Sequence, residues 1–167
     1  MIKFLDLQKI NNQDVSALKK AANRVIKSGW YLTGKEVASF EKNFKKYIGS
    51  KHILATSNGL DALRLIFRAY LQLGVMKKGD EIIVPANTYI ATILAISDSG
   101  LVPVFIEPDI KTYNINFSLI NSKITKKTKG ILVVHLYGRP CWSSTLTKIA
   151  KNRNLKIIED NAQAPGA

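Results

Sequence analysis

The side chains best suited to chemistry stand in the segment 155–167, LKIIEDNAQAPGA. An apolar strand pattern runs into the carboxylates of Glu159 and Asp160, and a loop containing Gln163 follows. An acid at the carboxyl end of a buried parallel strand lies where open α/β sheets bind their ligands. A buried Asp160 needs a partner, because an isolated carboxylate in an apolar site is costly. That partner could be a backbone amide, an internal lysine or a protonated ring nitrogen of a cofactor.

A second candidate is the segment 56–63, TSNGLDAL, which lies between a predicted strand and a predicted helix. Asn58 is a good N-cap, and Asp61 stands three residues later, where a capping-box acid would reach back to the cap. Gly59 and Leu60 would open the helix, and Gly59 lets the backbone approach a ligand closely. The positive end of a helix dipole binds anions, most naturally a phosphate. Taken alone, the segment is more simply explained as the start of a helix, because helix caps are far commoner than phosphate sites.

Two further strand ends carry single candidate side chains, Tyr89 in the segment 84–92 and His135. Tyr89 would stand at the carboxyl edge of the sheet, where its ring could stack on a flat ligand. Alternatively, Asn87 or Thr88 caps the helix and Tyr89 packs in the core. His135 is expected to be structural, because no second histidine or carboxylate stands at metal-ligand spacing. We therefore predict no metal site.

The elements that must position these loops follow from the spacing of apolar residues. Several strands are uninterrupted apolar runs that alternate with helices, which is typical of a mostly parallel sheet covered on both faces. Residues 1–50 are predicted to hold an extended arm at 4–7 and two helices that end at Gly29 and Gly49. From residue 51, we predict strands at 53–56, 81–85, 102–106, 131–135 and 156–160, and helices at 60–73, 89–97, 117–124 and 143–152; the helix 60–73 is apolar on nearly every side and is expected to be buried.

Composition excludes several classes of protein. The chain has 167 residues, 46% of them hydrophobic, and one cysteine, Cys141. This favours a globular protein of a reducing compartment, without a disulfide framework. No apolar run is long enough for a membrane span and no signal core opens the sequence, so we expect a cytoplasmic protein. The net charge of +13 comes from scattered lysines, which favours a generally basic surface. A nucleic-acid-binding or other interaction fragment is the alternative, and it is the less favoured one.

All these loops lie at carboxyl ends of strands, so we expect them to converge on one crevice. Such a crevice would combine a site for an anion, an aromatic ring that can stack and a buried acid. These features suit a ligand that is planar and phosphorylated and contains a ring nitrogen. Pyridoxal phosphate fits that description, with an aspartate at its pyridinium nitrogen.

The motifs themselves resemble the DegT/DnrJ/EryC1/StrS family of pyridoxal-phosphate-dependent sugar aminotransferases. The resemblance extends over essentially the whole chain and rests on five motifs in order: GWYLTGKEV (29–37), SNGLDAL (57–63), VPANTYIAT (84–92), VHLYG (134–138) and IEDNAQA (158–164). It implies a three-layer α/β/α architecture, the N-terminal part of the large domain of the aspartate aminotransferase fold. Residues 1–50 would be an arm with two helices and 51–167 an incomplete cofactor-binding domain, without the C-terminal small domain.

The resemblance also implies roles for the matching residues. Asp160 would pair with the pyridine nitrogen, and Gln163 would contact the phenolic oxygen of the cofactor. Tyr89 would stack on the ring, and the backbone of Gly59 and Leu60 would bind the phosphate. The implied reaction moves an amino group from glutamate to a nucleotide-linked keto-sugar, of the dTDP-3-keto-6-deoxyhexose type, in deoxyamino-sugar and polysaccharide biosynthesis. A homodimer is expected for the full-length protein.

The sequence departs from the family pattern in ways that affect the expected activity. Leu60 stands where many members have threonine, whose hydroxyl would add a phosphate contact, and Pro165 stands where many have histidine. The Schiff-base lysine of the family is expected after Ala167, so no lysine in this chain takes that role. We therefore expect the 167-residue chain alone to be inactive. A dehydratase of the same family, in which histidine replaces the lysine, is the closest alternative.

Overall fold

The computed structural model describes residues 3–166. Three residues lie outside this description: Met1, Ile2 and Ala167. The predicted segments 1–50 and 51–167 begin and end at two of them. The chain forms two compact units, Met1–Ala55 and Thr56–Ala167, here called the helical unit and the sheet unit. The domain boundary after residue 50 stays a prediction.

The helical unit contains α1 (Leu7–Asn11), α2 (Val15–Ser28) and α3 (Lys35–Ile48) within its described residues. Both predicted helix ends are confirmed. Gly29 follows α2 with φ 65° and Gly49 follows α3 with φ 68°, the left-handed conformation that glycine adopts without a Cβ penalty.

The predicted extended arm is wrong at its end. Leu7 begins α1 because Asp6 caps that short helix, accepting a hydrogen bond from the Lys9 N–H at 3.1 Å. A local side-chain cap of this kind offers the backbone a turn in place of an extended path.

The sheet unit has four parallel strands across its described residues, in the spatial order β2–β1–β3–β4. Its elements in chain order are α4 (Gly59–Gln72), β1 (Glu81–Pro85), α5 (Ile90–Asp98), β2 (Val102–Ile106), α6 (Phe117–Lys123), β3 (Thr128–Val134), α7 (Ser144–Arg153) and β4 (Lys156–Asp160), with a single 3-10 turn at Leu136–Gly138. The predicted α/β class and the predicted parallel strands at β1, β2, β3 and β4 are confirmed.

Two apolar clusters cover the two faces of this sheet. Ile82 and Val84 of β1 belong to the cluster that includes Phe67 of α4, whereas Ile83 packs with Ile120 of α6 and other residues of the opposite cluster. Successive strand residues point to opposite faces, so the alternation along β1 places helices on both sides of the sheet. The predicted three layers are confirmed.

The strand predicted at 53–56 is wrong. The structure has no strand there, and the Ala55 N–H donates to Glu41 Oε1 at 2.8 Å instead of joining a ladder. Leu54 is 75% exposed. A short apolar run becomes a strand only where a neighbouring strand is available for pairing.

The expectation that α4 is buried all round is also wrong. Leu63 and Phe67 are buried, but Leu65, Ile66 and Leu73 are 44%, 38% and 75% exposed. The helix packs one face against α5 and the sheet, so its remaining apolar residues stay at the surface. Among residues 3–166, no helix is both long enough and apolar enough to cross a membrane.

Candidate functional site

A cavity of about 460 Å³ lies where the carboxyl ends of β3 and β4 meet the first turns of α4 and α5. It is within the size range of small-molecule sites. All five residues predicted for the site, Gly59, Leu60, Tyr89, Asp160 and Gln163, line this cavity. The structure therefore brings together positions that are more than 100 residues apart in the sequence.

The amino end of α4 lines the cavity. Asn58 caps the helix, with Oδ1 accepting from the Asp61 N–H at 2.9 Å, and the Ala62 N–H begins the backbone ladder by donating to Asn58 O at 3.1 Å. The N–H groups of Gly59 and Leu60 precede these bonds and remain available to an anion. A Cβ at Gly59 would meet no atom within 4 Å, so the backbone there borders open space.

The predicted capping box does not form. The Asp61 carboxylate accepts from Ser57 Oγ at 2.5 Å and from Asn58 Nδ2 at 3.1 Å, and Arg64 pairs with it at 3.3 Å. The Ser57 hydroxyl, with Arg64 and Asn58, holds the pKa of Asp61 below its usual value. The carboxylate thus organises the side chains of the turn and leaves the first helical N–H groups free.

Asp160 ends β4 and lines the same cavity, and neutral donors orient both of its oxygens. Thr92 donates its hydroxyl to Oδ2 at 3.0 Å, and the Ala162 N–H donates to Oδ1 at 3.1 Å. Thr92 is 1% exposed, and its hydroxyl also lies 2.9 Å from that of Thr88. A backbone amide is thus one partner, as the sequence allowed. No ion pair forms between Asp160 and a basic group of residues 3–166.

Thr92 and Thr88 are functional candidates that the sequence reasoning missed. Their spacing of four residues was the available signal: Thr88 stands just before the N-cap Tyr89 and Thr92 in the first turn of α5, so their hydroxyls can meet at the start of the helix. Nothing in that spacing alone indicated that Asp160, 68 residues later, would be the acceptor.

Gln163 is oriented by the loop after β3. Its Oε1 accepts from the Tyr137 N–H at 2.6 Å. This bond uses the acceptor end of the amide, so the Nε2 group is the end left to donate to a ligand.

Tyr89 immediately precedes α5 and is 72% exposed. The alternative that its ring packs in the core is therefore wrong. The alternative caps are also wrong, because Thr88 bonds Thr92 and Asn87 donates to Tyr113 O at 2.9 Å. The ring borders the cavity and is free to cover a flat ligand.

His135 is buried and has contacts on both ring nitrogens. Nδ1 accepts from the Cys141 N–H at 2.7 Å, and Nε2 lies 3.0 Å from Glu159 Oε2. An acceptor at Nδ1 fixes the tautomer with the proton on Nε2, which donates to the carboxylate. The histidine links β3, β4 and the loop after β3. Among residues 3–166, no cluster of three His, Cys, Asp or Glu side chains is placed to hold a metal ion.

Residues 12–167 match the DegT/DnrJ/EryC1/StrS aminotransferase family. The chain belongs to this family. It is 55% identical over 167 residues to the dTDP-3-amino-3,6-dideoxy-alpha-D-galactopyranose transaminase of Aneurinibacillus thermoaerophilus, covering 100% of this chain and 45% of that protein. The chain therefore spans less than half of this relative's length.

Two solved structures share the fold closely. One is S. venezuelae DesV in complex with a ketimine intermediate, with a TM-score of 0.92 and 39% identity over 99% of this chain and 43% of that one. The other is the E. coli GDP-4-keto-6-deoxy-D-mannose-3-dehydratase with bound hydrated PLP, with a TM-score of 0.84 and 35% identity over 89% and 39%. The fold is that of the type I pyridoxal-phosphate-dependent aminotransferases, and the family is dependent on that cofactor.

The residues present fit such a cofactor. A phosphate requires N–H donors and an open approach, which the start of α4 and Gly59 provide. A protonated pyridine nitrogen requires an oriented carboxylate, and Asp160 is held by Thr92 and Ala162. Each Asp160 oxygen keeps a second lone pair for a further donor.

Proposed function

We propose that this chain supplies the pyridoxal-phosphate-binding part of a sugar aminotransferase that transfers an amino group from glutamate to a nucleotide-linked keto-sugar. The observation that supports this most directly is the Asp160 carboxylate. The buried Thr92 hydroxyl orients it, and it lines the same cavity as the amino terminus of α4. One cavity thus holds an acid for a ring nitrogen and N–H donors for a phosphate.

Pyridoxal phosphate supplies the electron sink of such a reaction. Asp160 would keep the pyridine nitrogen protonated, because a carboxylate beside a cation favours the charged form. Gln163 would donate from Nε2 to the phenolic oxygen, and the ring of Tyr89 would cover one face of the cofactor. The N–H groups of Gly59 and Leu60 would bind the phosphate. Leu60 contributes only its backbone there, since its side chain has no hydroxyl.

The substrate class rests on the relatives. The A. thermoaerophilus relative, 55% identical over the whole chain, is a transaminase of a dTDP-linked 3-amino-3,6-dideoxyhexose. A dTDP-3-keto-6-deoxyhexose is therefore the proposed acceptor, and deoxyamino-sugar and polysaccharide biosynthesis, as a cytoplasmic homodimer, is the proposed setting. The dehydratase relative makes sugar deoxygenation the competing activity. Given glutamate and the keto-sugar, an aminated product from the full-length protein supports transamination, whereas a deoxy sugar without the new nitrogen supports dehydration.

By the family pattern, residues 1–167 hold the cofactor-orienting side chains but not the Schiff-base lysine. We accordingly propose that this polypeptide by itself binds the cofactor without a covalent bond to lysine and does not transaminate. Formation of an aminated sugar by the purified 167-residue chain would contradict this.

The test is equilibrium binding of pyridoxal phosphate to the wild-type chain, Asp160→Asn and Thr92→Val, measured by calorimetry. Asp160→Asn should weaken binding by about tenfold or more, since a charged hydrogen bond is worth about 1.5–3 kcal/mol. Thr92→Val should weaken binding less, because the carboxylate keeps its charge and loses only one of the two hydrogen bonds that orient it.

Two variants serve as controls for the Thr92 substitution. Thr92→Ser should restore wild-type binding, because it restores the hydroxyl. Thr147→Val, on the exposed face of α7, should change nothing. Equal affinities for wild type and Asp160→Asn would rule out the proposed role of Asp160.

A further inference from the structure

The amino ends of the strands lie at the edge of the sheet opposite to the cavity that contains Asp160, because the strands are parallel and that cavity lies at carboxyl ends. The segments that enter β1, β3 and β4 at this edge are rich in lysine. We call this surface the basic edge. Its basic residues are Lys77, Lys78, Lys126, Lys127, Arg153 and Lys156.

Strand pairing brings these basic residues together from separate parts of the sequence. β3 lies between β1 and β4 in the sheet. The Glu81 N–H donates to Lys127 O at 2.9 Å, which joins the loop before β3 to the start of β1. Lys156, the first residue of β4, pairs with Gly130 of β3. The lysines that are scattered along the chain are therefore concentrated along one edge of the sheet unit.

The carboxylates at this edge are outnumbered by the cations. Asp80 is 3% exposed and accepts from a backbone N–H at 2.9 Å, and Glu81 accepts from two threonine hydroxyls at 2.5 and 3.1 Å. Asp98, which ends α5, pairs with Arg64. In the part of the chain that the structure describes, none of the six basic residues forms an ion pair. The basic edge therefore has an excess of positive charge.

Local structure does not explain the lysines in the loops of this edge. A basic residue in the last turn of a helix complements the helix dipole, which accounts for Arg153 at the end of α7. Lys77, Lys78, Lys126 and Lys127 stand outside the helices and strands and are exposed. Clustered exposed cations attract a polyanionic partner.

Exposed apolar side chains lie beside these lysines and indicate which polyanion fits. Leu73 and Val75, in the turn between α4 and β1, are 75% and 38% exposed. Val102, 45% exposed, begins β2 opposite Glu81. The headgroup region of a lipid bilayer accepts basic and apolar side chains together, whereas a nucleic-acid backbone offers phosphates without an apolar phase. All but one of the basic residues are lysines, and arginine is the residue better suited to nucleic-acid recognition.

We propose that the basic edge docks on the surface of an anionic lipid bilayer. Its lysines contact the lipid phosphates, and Leu73, Val75 and Val102 enter the headgroup region. Such a contact requires no membrane-spanning helix. Because the cavity that contains Asp160 lies at the opposite edge of the sheet, a docked chain keeps that cavity open to dissolved substrates. The inference does not depend on the proposed function.

The test is co-sedimentation of the 167-residue chain with vesicles of phosphatidylglycerol and phosphatidylcholine at about 0.15 M salt, where exposed charges interact over about 8 Å. The wild type should bind these vesicles and should not bind vesicles of phosphatidylcholine alone. The variant Lys77→Gln/Lys78→Gln/Lys126→Gln/Lys127→Gln should bind at least about 100-fold more weakly, because each lysine near an anionic bilayer adds to the affinity. No binding of the wild type to the anionic vesicles would overturn the proposal.

The matched control is Lys19→Gln/Lys20→Gln/Lys45→Gln/Lys46→Gln, which removes the same charge from exposed positions of the helical unit. This control should bind the anionic vesicles as the wild type does. Equal weakening in the two variants would overturn the proposal, because net charge rather than the basic edge would then explain the binding.

A second arm tests the apolar side chains. Leu73→Gln/Val75→Gln should weaken binding to the anionic vesicles about tenfold, because two apolar side chains no longer enter the headgroup region. The same variant should bind pyridoxal phosphate with wild-type affinity. Unchanged vesicle binding would overturn the proposed insertion. Duplex DNA bound more tightly than the vesicles at the same salt would overturn the lipid assignment in favour of nucleic acid.

Discussion

The helical unit and the sheet unit use apolar residues in different ways. In the helical unit, α2 and α3 each have a strongly amphipathic sequence, yet neither contains a buried residue. In the sheet unit, β3 has six buried residues out of seven, and the core lies on both faces of the sheet. An amphipathic pattern therefore identifies a helix, but it does not establish that the apolar face is covered.

The difference is clearest between two phenylalanines. Phe40 of α3 is 55% exposed and stacks on Phe44 at 5.4 Å, a contact within a single helix. Phe67 of α4 is 0% exposed and belongs to the cluster that includes Ile82 and Leu132. The strands of the sheet unit are thus positioned by their own packing, and this fixes the geometry of the cavity at their carboxyl ends.

The largest expected effect comes from exchanging these phenylalanines for alanine. Phe67→Ala should lower the free energy of unfolding by about 3–5 kcal/mol, because it removes a fully buried ring and leaves a cavity. Phe40→Ala should lower it by less than about 1 kcal/mol, because its ring is already half in water. Urea unfolding followed by circular dichroism measures both. Equal losses would contradict the contrast between the units.

A smaller effect is expected at the single cysteine, which reports on the sheet unit. Cys141 is 1% exposed, and burial raises the pKa of its thiol to about 11 from 9.0. Its reaction with a disulfide reagent at pH 8 should be more than about 100-fold slower in the native chain than in urea, because the thiolate is scarce and inaccessible. Rapid native labelling would mean that the core around β3 opens readily.

The same thiol gives a pH dependence. Between pH 9 and about 11 the unfolded chain loses the thiol proton while the folded chain keeps it. The unfolded state then binds fewer protons, so stability falls as the pH rises through that window. In Cys141→Ser this component of the fall should be absent, as measured by urea midpoints across the pH range.

The smallest effect is expected at the surface of the helical unit. Arg24 and Glu36 form a hydrogen-bonded ion pair at 2.8 Å, with both side chains about half exposed. The hydrogen bond from Arg24 holds the pKa of Glu36 below its usual value, so any stability it gives is present above that range and is lost as the pH falls. Exposed pairs contribute little. Glu36→Gln should leave the melting temperature unchanged within error at moderate salt, and a clear drop would show that the helical unit depends on this pair.

The sequence was sufficient to predict the helices and strands that depend on local residue patterns. The parallel strands at 81–85, 102–106 and 156–160 were predicted at their observed bounds. A short, mostly apolar run between turn residues can form few other structures. Glycines ended α2 and α3 as expected. The strand predicted at 53–56 failed because pairing depends on a neighbouring strand, which the residues themselves do not specify.

In the candidate site, too, the residues could be predicted from the sequence but the contacts between them could not. Its five predicted residues could be named from motifs, and they line one cavity. The hydrogen bonds from Thr92 to Asp160 and from the Tyr137 N–H to Gln163 could not be predicted. Each joins residues that are far apart in sequence, so only the register of the sheet and the packing of α5 bring them together.

The sequence by itself therefore determined the family, the class of fold and the identity of the carboxylate at the end of β4, because these depend on residue type and order. The tertiary structure alone decided how that carboxylate is held, which apolar faces are covered and that lysines from separate loops lie along one edge of the sheet. Those properties depend on distances between segments, and distances are set by packing and strand pairing rather than by any local pattern.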